Sequence, residues 1–174
     1  MTATAAEAFR AWHDFFVLIG TASATLIGAM FVVASIGSRF MVEDRLPQIG
    51  AFMTSTVVHL SVVVLTCAFV TVPSLDWHWL GTVFGCGAVA GLAYCIVNGR
   101  RVLRGRVDWT DPVWYGLLPL AAYAAMLAGA LSMLLNERPG FQALAIAPAL
   151  LLVSGIRNSW DMIVYFALRD RGPE

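Results

Sequence analysis

Five apolar blocks, separated by short polar stretches, follow one another along the chain. Each block is close to the ~20 residues that a helix needs to cross the hydrocarbon core of a bilayer. Open strands cannot satisfy their backbone polar groups in lipid, so blocks of this length predict helices. We place the five spans at approximately residues 15–36, 49–72, 80–97, 113–135 and 141–168.

Composition agrees with a single membrane domain. The chain has 174 residues, of which 59% are hydrophobic and 13% are charged, whereas soluble domains are about half apolar and about a quarter charged. We therefore expect an all-α membrane protein, a bundle of five transmembrane helices, with one integral membrane domain over residues 1–174 and no separate soluble domain. The net charge is zero, which argues against nucleic acid as a partner.

The placement of arginine predicts the orientation of the bundle. All 11 basic residues are arginines. Eight of them fall in the first and third loops and the C-terminal tail, whereas the opposite side holds Arg10 and Arg138. Because arginine-rich loops stay in the cytoplasm, we expect the N-terminus outside and the C-terminus in the cytoplasm. Aromatic residues, which favour the two interfaces, agree: Trp12, Trp77 and Trp79 on the outer side, and Trp109, Trp114, Tyr115 and Trp160 on the inner side.

A polar stripe in the fifth block is the strongest candidate for a functional site. On a helix, its five residues lie within about 100° of one another: Ser154, Arg157, Asn158, Asp161 and Tyr165. Arg157 and Asp161 are four residues apart, so they can form an ion pair. A charge inside a membrane costs roughly 2.5–3.5 kcal/mol and therefore faces a partner or water. Two interpretations stay open: a neutralised pair, capped by Ser154 and Asn158, that locks the bundle, or a stripe facing a water-filled path or an inter-subunit site.

The fifth block is longer than a bilayer requires. From Phe141 to Leu168 a helix measures roughly 42 Å at 1.5 Å per residue, against a hydrocarbon core of about 30 Å. We favour one tilted helix, or one kinked at Pro148, with Arg157 near the bilayer centre. In the alternative, the span ends near Ile156 and the remainder lies along the inner interface.

His59 lies near the middle of the second span, and helix counting places it at a depth close to that of Arg157. One interpretation is a neutral imidazole bonded to a hydroxyl or carbonyl, and the other is a proton relay or pH gate. Nucleophile, zinc-protease and phosphate-loop motifs are missing from the sequence. We therefore expect no catalytic residue, no metal, no cofactor and no enzymatic activity.

Two further patterns stand out at the helix level. His13 and Asp14 form an outer interfacial pair, which we interpret as a solvated helix start. Small residues recur at four-residue spacing in the first and third spans, and such stripes let helix backbones approach closely, within one chain or between chains: Gly20, Ala24 and Gly28, then Gly81 and Gly85, and Gly87 and Gly91.

The first span, WHDFFVLIGTASATLIGAMFVVAS from Trp12 to Ser35, resembles the opening of a group of small, largely uncharacterised bacterial multi-span membrane proteins. The run GIRNSWD, from Gly155 to Asp161, resembles their second shared block. The resemblance implies a bacterial cytoplasmic (inner) membrane. It marks six residues for testing without giving them roles: Trp12, His13, Asp14, Arg157, Asn158 and Asp161.

Two functions follow from these patterns as expectations. The leading one is a small channel or permeation pathway for ions, lined or gated by Arg157, His59 and Asp161, because their polar groups share a depth. The alternative is a non-catalytic accessory or assembly subunit of a larger membrane protein complex, in which the ion pair fixes helix register. Small-residue faces on a thin bundle also predict a homo-oligomer.

Overall fold

The computed structural model describes residues 5–37, 46–72, 76–103, 113–135 and 140–169, and these residues form a helical bundle. The helices are α1 (Ala5–Gly37), α2 (Leu46–Thr71), α3 (Trp77–Leu103), α4 (Leu118–Leu134) and α5 (Gly140–Arg169), and a π-helical turn, Val113–Leu117, leads directly into α4. The predicted all-α fold is confirmed. Within the described ranges, five helical segments are long and apolar enough to cross a membrane.

Several residues used for the predicted orientation fall outside the described ranges. These are mainly loop and tail arginines: Arg39, Arg45, Arg104, Arg106, Arg138, Arg171 and the aromatic Trp109.

α5 is the central helix of the bundle. It packs against α4, α2 and α1, while α4 also packs against α3, and α1 pairs with α2. The core therefore runs along both sides of α5 and between α3 and α4. Its largest fully buried apolar side chains come from all five helices: Phe16, Met30, Leu60, Val63, Leu80, Phe84, Tyr123, Met133, Leu144 and Leu151.

Burial and hydropathy run in opposite directions across the bundle. The most apolar stretch of α1 has a mean hydropathy of 2.2 and is 17% buried, whereas that of α5 has a mean hydropathy of 1.3 and is 56% buried. In a protein folded in water, the most apolar helix is expected to be the most buried. Large apolar side chains such as Leu18, Phe31 and Leu135 are mostly exposed. The most apolar helix of the bundle is thus also its most exposed one.

α5 is one helix from Gly140 to Arg169, with Pro148 inside it. A proline has no N–H, so Pro148 cannot donate to the carbonyl of Leu144 one turn earlier. α5 is thus one continuous helix, as the favoured interpretation requires, and the residue at which the membrane span ends remains a prediction. This continuity places Ser154, Arg157 and Asp161 on the same helix.

Candidate functional site

Arg157 and Asp161 form an ion pair on α5. The Nη2 atom of Arg157 lies 3.2 Å from Oδ1 of Asp161, as their four-residue spacing predicts. The pair is not enclosed, because 42% of the Arg157 side chain and 29% of the Asp161 side chain are exposed. An ion pair with this much exposure contributes modestly to stability, at most about 1 kcal/mol in water.

The π-helical turn before α4 supplies the remaining partners of this pair. The hydroxyl of Tyr115 donates a hydrogen bond of 3.3 Å to Oδ2 of Asp161. The ring of Trp114 lies 6.0 Å from Cζ of Arg157, at the outer limit of a cation–π contact. The hydroxyl of Ser154 donates a 2.9 Å hydrogen bond to the backbone carbonyl of Trp114. Trp114 and Tyr115, which are adjacent in this turn, thus contact three polar residues of α5: Ser154, Arg157 and Asp161.

Pro119 explains why the Trp114 carbonyl needs a donor from another helix. In a π-helical turn, the carbonyl of one residue accepts from the N–H five residues later. For Trp114 that residue is Pro119, which lies in the first turn of α4 and has no N–H. The hydroxyl of Ser154 takes the place of the missing donor. The sequence therefore couples the start of α4 to the polar face of α5 through one proline and one serine.

The structure does not show the predicted capping of the ion pair by Ser154 and Asn158. Ser154 is engaged with Trp114 instead. Asn158 is 1% exposed, and its Oδ1 has no hydrogen-bond partner among the described residues. The hydroxyl of Tyr115 takes the capping position because the π-helical turn brings it beside Asp161. The side chain of Tyr165, also predicted on this stripe, lies outside the described ones.

The ion pair lies beside the beginning of α4, not beside its middle. Trp114 and Tyr115, which contact the pair, stand at the start of the fourth apolar segment, Val113–Leu134. At 1.5 Å per residue this is roughly 13 Å from the middle of that segment. Counting along α5 alone predicts a central position for Arg157, and the depth of Arg157 in a membrane remains a prediction.

His59 is buried between three helices with both ring nitrogens partnered. Its Nδ1 lies 2.9 Å from the Tyr123 hydroxyl, and its Nε2 lies 3.2 Å from the Ser55 hydroxyl. The ring also meets the edge of Tyr94, with centroids 5.8 Å apart. A hydroxyl can donate or accept, so two hydroxyls satisfy either tautomer of a neutral imidazole. This geometry agrees with the interpretation of His59 as a partnered histidine in the core.

The structure gives His59 and Arg157 separate surroundings. Their partners, Tyr123 on α4 and Trp114 in the π-helical turn before α4, are nine residues apart, roughly 13 Å along a helix. On the other side Leu60, the neighbour of His59, packs directly on Gly155. No described hydrogen bond joins the two groups, and 2% of His59 is exposed. The shared depth remains a prediction, but no described contact joins the two residues.

The small-residue positions divide into inward and outward sets. A Cβ on Gly20 would lie 2.9 Å from Cβ of Cys67, one on Gly81 would lie 3.1 Å from the Ala130 carbonyl, and one on Gly91 would overlap the Tyr123 ring. These three glycines serve packing within the chain. The rest are less constrained: Gly85 has an ordinary contact with Ala130, Gly28 and Gly87 face open space, and Ala24 is exposed.

His13 and Asp14, the predicted outer interfacial pair, lie next to each other on α1. Nδ1 of His13 lies 3.2 Å from Oδ1 of Asp14, and both side chains are exposed. In the described part of the chain, no three His, Cys, Asp or Glu side chains converge as metal ligands would.

The sequence patterns did not identify Tyr123 or Gly155 as site residues. In the sequence, Gly155 is only the first residue of the run GIRNSWD, and its close contact with Leu60 appears only in the folded structure.

Comparison with protein-family models, with curated proteins and with solved structures finds no match to this chain. The roles of its residues therefore rest on the geometry described above.

Proposed function

We propose that this chain is a multi-pass integral protein of the bacterial cytoplasmic membrane, with the N-terminus outside and the C-terminus in the cytoplasm. The inverse relation between burial and hydropathy supports insertion, because lipid rewards apolar residues on the surface. The excess of arginine in loops one and three and in the tail supports the orientation.

Reporter fusions at the C-terminus test this orientation. Green fluorescent protein fused after Glu174 is expected to fluoresce, whereas alkaline phosphatase at the same place is expected to be inactive, since it needs an extracytoplasmic position. An active phosphatase together with a dark fluorescent fusion would reverse the proposed topology. Release of the protein by carbonate washing would exclude integral insertion altogether.

Within the membrane, the protein acts as a non-catalytic accessory or assembly subunit that associates through α1. The observation that carries this proposal is the contrast between polar side chains that contact one another inside the protomer and an open helix face. Arg157, Asp161 and His59 each have a polar partner inside the protomer, as expected of residues that fix helix packing, although Nε of Arg157 has none among the described residues. α1 in contrast is the least buried helix, and Ala24 and Gly28 lie on it with open space at Gly28.

Two glycine variants test the association. Gly28→Leu fills the open face of α1 and is expected to abolish a complex that survives gentle detergent extraction, whether with a partner protein or with further copies of the chain. Gly87→Leu is the matched control, since Gly87 also faces open space but on α3, and it is expected to leave the complex intact. A clean monomer for the parent protein in native mass measurements contradicts the proposal.

Permeation through an oligomer is the second candidate. It is favoured by the exposure of Arg157, whose side chain is 42% accessible on the surface of a single protomer and so available to line a path between protomers. Ion flux into liposomes tests it with Arg157→Ala, His59→Ala and the exchange Arg157→Asp with Asp161→Arg. A channel changes selectivity on exchange, whereas an accessory subunit tolerates the exchange and conducts nothing.

A further inference from the structure

An open depression lies on the surface of α5 beside the ion pair. It has a volume of about 310 Å³ and is lined by Trp114, Val153, Ile156, Arg157 and Trp160. Its accessible lining is almost wholly apolar, with the Arg157–Asp161 pair at its edge, and Val153, Ile156 and Trp160 are exposed. Because Trp114 belongs to the turn that begins the fourth apolar segment, the depression lies at one end of that segment.

Both charges of the ion pair remain available to a ligand at this end. A guanidinium has five N–H donors, and a carboxylate can accept about four hydrogen bonds. The described bonds use one guanidinium nitrogen, Nη2, and each carboxylate oxygen once. Nε of Arg157 is buried without a described partner, so a ligand can reach only the Nη atoms. The exposed fractions of the two side chains show that neither is covered by its partner. The pair has no net charge, yet it presents a cation and an anion side by side.

The order of groups along α5 matches the order of groups in a phospholipid. Val153 and Ile156 come first, Arg157 and Trp160 follow, and Asp161 lies nearest the end of the helix at Arg169. A phospholipid places its acyl chains, its phosphate and the terminal group of its head in the same sequence. Indole rings such as that of Trp160 favour the boundary between the apolar and charged layers.

We infer that this depression binds phosphatidylethanolamine, a phospholipid whose head carries a phosphate and a primary ammonium. The phosphate accepts hydrogen bonds from Arg157, the ammonium donates to Asp161, and an acyl chain lies along Val153 and Ile156. The inference rests on the membrane insertion proposed above, with this face of α5 toward lipid.

Two other common headgroups fit the pair less well. The phosphate of phosphatidylglycerol gains Arg157 but brings a second negative charge beside Asp161 without a cation to offset it. The quaternary ammonium of phosphatidylcholine has no N–H and cannot donate to the carboxylate. The ion pair therefore selects for the head that has both an anion and a donating cation.

Native mass spectrometry of the full-length protein in detergent measures this preference. The protein is titrated with phosphatidylethanolamine, phosphatidylcholine and phosphatidylglycerol that have identical acyl chains. We expect phosphatidylethanolamine to bind about tenfold more tightly than either, the ratio that one additional charge-assisted hydrogen bond supplies. Asp161→Asn removes the preference over phosphatidylcholine and raises binding of phosphatidylglycerol, because Arg157 then lacks its counter-charge.

An exchange variant separates this site from a general effect of charge. Arg157→Asp with Asp161→Arg keeps the pair and the net charge but reverses their order along α5, so the preference for phosphatidylethanolamine is expected to disappear. Trp160→Leu weakens the binding of all three lipids. Trp79→Leu is its control, because Trp79 is also an exposed indole but lies at the start of α3, and it changes nothing.

Two results overturn the inference. One is equal binding of the three lipids by the parent protein, and the other is a preference that survives the exchange of Arg157 and Asp161. Failure of the membrane proposal is a different result, since the protein would then fail to float with liposomes of any lipid composition. A protein that floats with liposomes but has no headgroup preference contradicts the lipid site alone.

Discussion

The first and the last helix of this bundle differ in both hydropathy and burial. α1 is the more apolar and the more exposed, and it carries several of its large apolar side chains on the outside, among them Leu18, Phe31 and Ile36. α5 is the less apolar and lies at the centre, where it contacts three other helices. The comparison indicates that the polar contacts between helical segments are concentrated on α5, whereas α1 directs many of its apolar side chains outward.

The hydroxyl groups of the two helices repeat this difference. On α1, Thr25 and Ser35 donate to carbonyls of their own helix, four residues earlier, at 2.9 and 2.8 Å. On α5, Ser154 donates across to the Trp114 carbonyl at the start of α4. A hydroxyl that faces apolar surroundings satisfies itself locally, whereas a hydroxyl at a helix contact can join two elements. Ser159 on α5 also donates within its own helix, to the carbonyl of Gly155 at 2.7 Å, so the difference rests on Ser154.

The largest expected effect on stability is that of Gly155→Leu on α5, for which Gly28→Leu on α1 is the comparison. A Cβ on Gly155 would lie 2.6 Å from the buried Leu60 side chain, so Gly155→Leu is expected to destabilise the protein by about 3 kcal/mol or more. Gly28→Leu on α1 has open space and should leave the stability of the protomer within about 0.5 kcal/mol. Thermal unfolding in detergent compares them, and equal midpoints for the two variants would remove the distinction between the helices.

Removal of one partner of the ion pair has the next largest expected effect. Asp161→Ala removes both the ion pair with Arg157 and the hydrogen bond from Tyr115, at about 1 kcal/mol each, and should cost about 2 kcal/mol in total. This is less than the 3–5 kcal/mol of a fully buried pair, because both side chains are partly exposed. Arg10→Ala on α1 is the control and should change nothing, since Arg10 is exposed. A loss of about 2 kcal/mol in both variants would mean that the change in net charge, and not the Arg157–Asp161 contact, causes the destabilisation.

Hydroxyl removal sharpens the comparison with a smaller effect. Ser154→Ala leaves the Trp114 carbonyl without its donor and is expected to cost about 1 kcal/mol. Thr25→Val removes a hydroxyl that bonds only its own helix, and the expected change is below about 0.5 kcal/mol. A combined Ser154→Ala and Pro119→Ala variant should recover part of the loss, because residue 119 then has an N–H for the carbonyl. No recovery would contradict the role given to Pro119.

The smallest expected effect concerns His59 and its two hydroxyl partners. Tyr123→Phe removes the 2.9 Å contact to Nδ1 and should cost about 1 kcal/mol, while Ser55→Ala, with its longer contact of 3.2 Å, should cost less. Double-variant cycles with His59→Gln measure the coupling of each pair. Zero coupling between His59 and Tyr123 would show that the hydrogen bond does not hold the imidazole in place.

Sequence patterns predicted the helices well and the contacts between them poorly. Length and hydropathy identified all five apolar segments, because a helix that must cross lipid leaves a long, uniform signal. The four-residue spacing of Arg157 and Asp161 predicted their ion pair, since that relation lies within one helix. Most of the loop and tail arginines that carry the predicted orientation lie outside the described residues.

Relations between helices were not encoded in any local pattern. The contact of Tyr115 with Asp161 joins residues in different helical segments, and nothing in the sequence gives the relative register of α4 and α5. The same holds for Tyr123 with His59. The small-residue stripes had identical spacing, yet Gly91 faces a ring and Gly28 faces open space. Register and rotation depend on the whole bundle, so only the coordinates separate these cases.

Depth-resolved accessibility of two spin labels tests the membrane arrangement most directly. One label replaces Ala22, exposed near the middle of α1, and the other replaces Trp160, exposed beside Arg157, in a protein reconstituted in liposomes after its three cysteines are changed to alanine. We predict that oxygen but not a water-soluble nickel complex reaches the label at residue 22, while both reach the label at residue 160. Access of the nickel complex to residue 22, or its exclusion from residue 160, would contradict the arrangement.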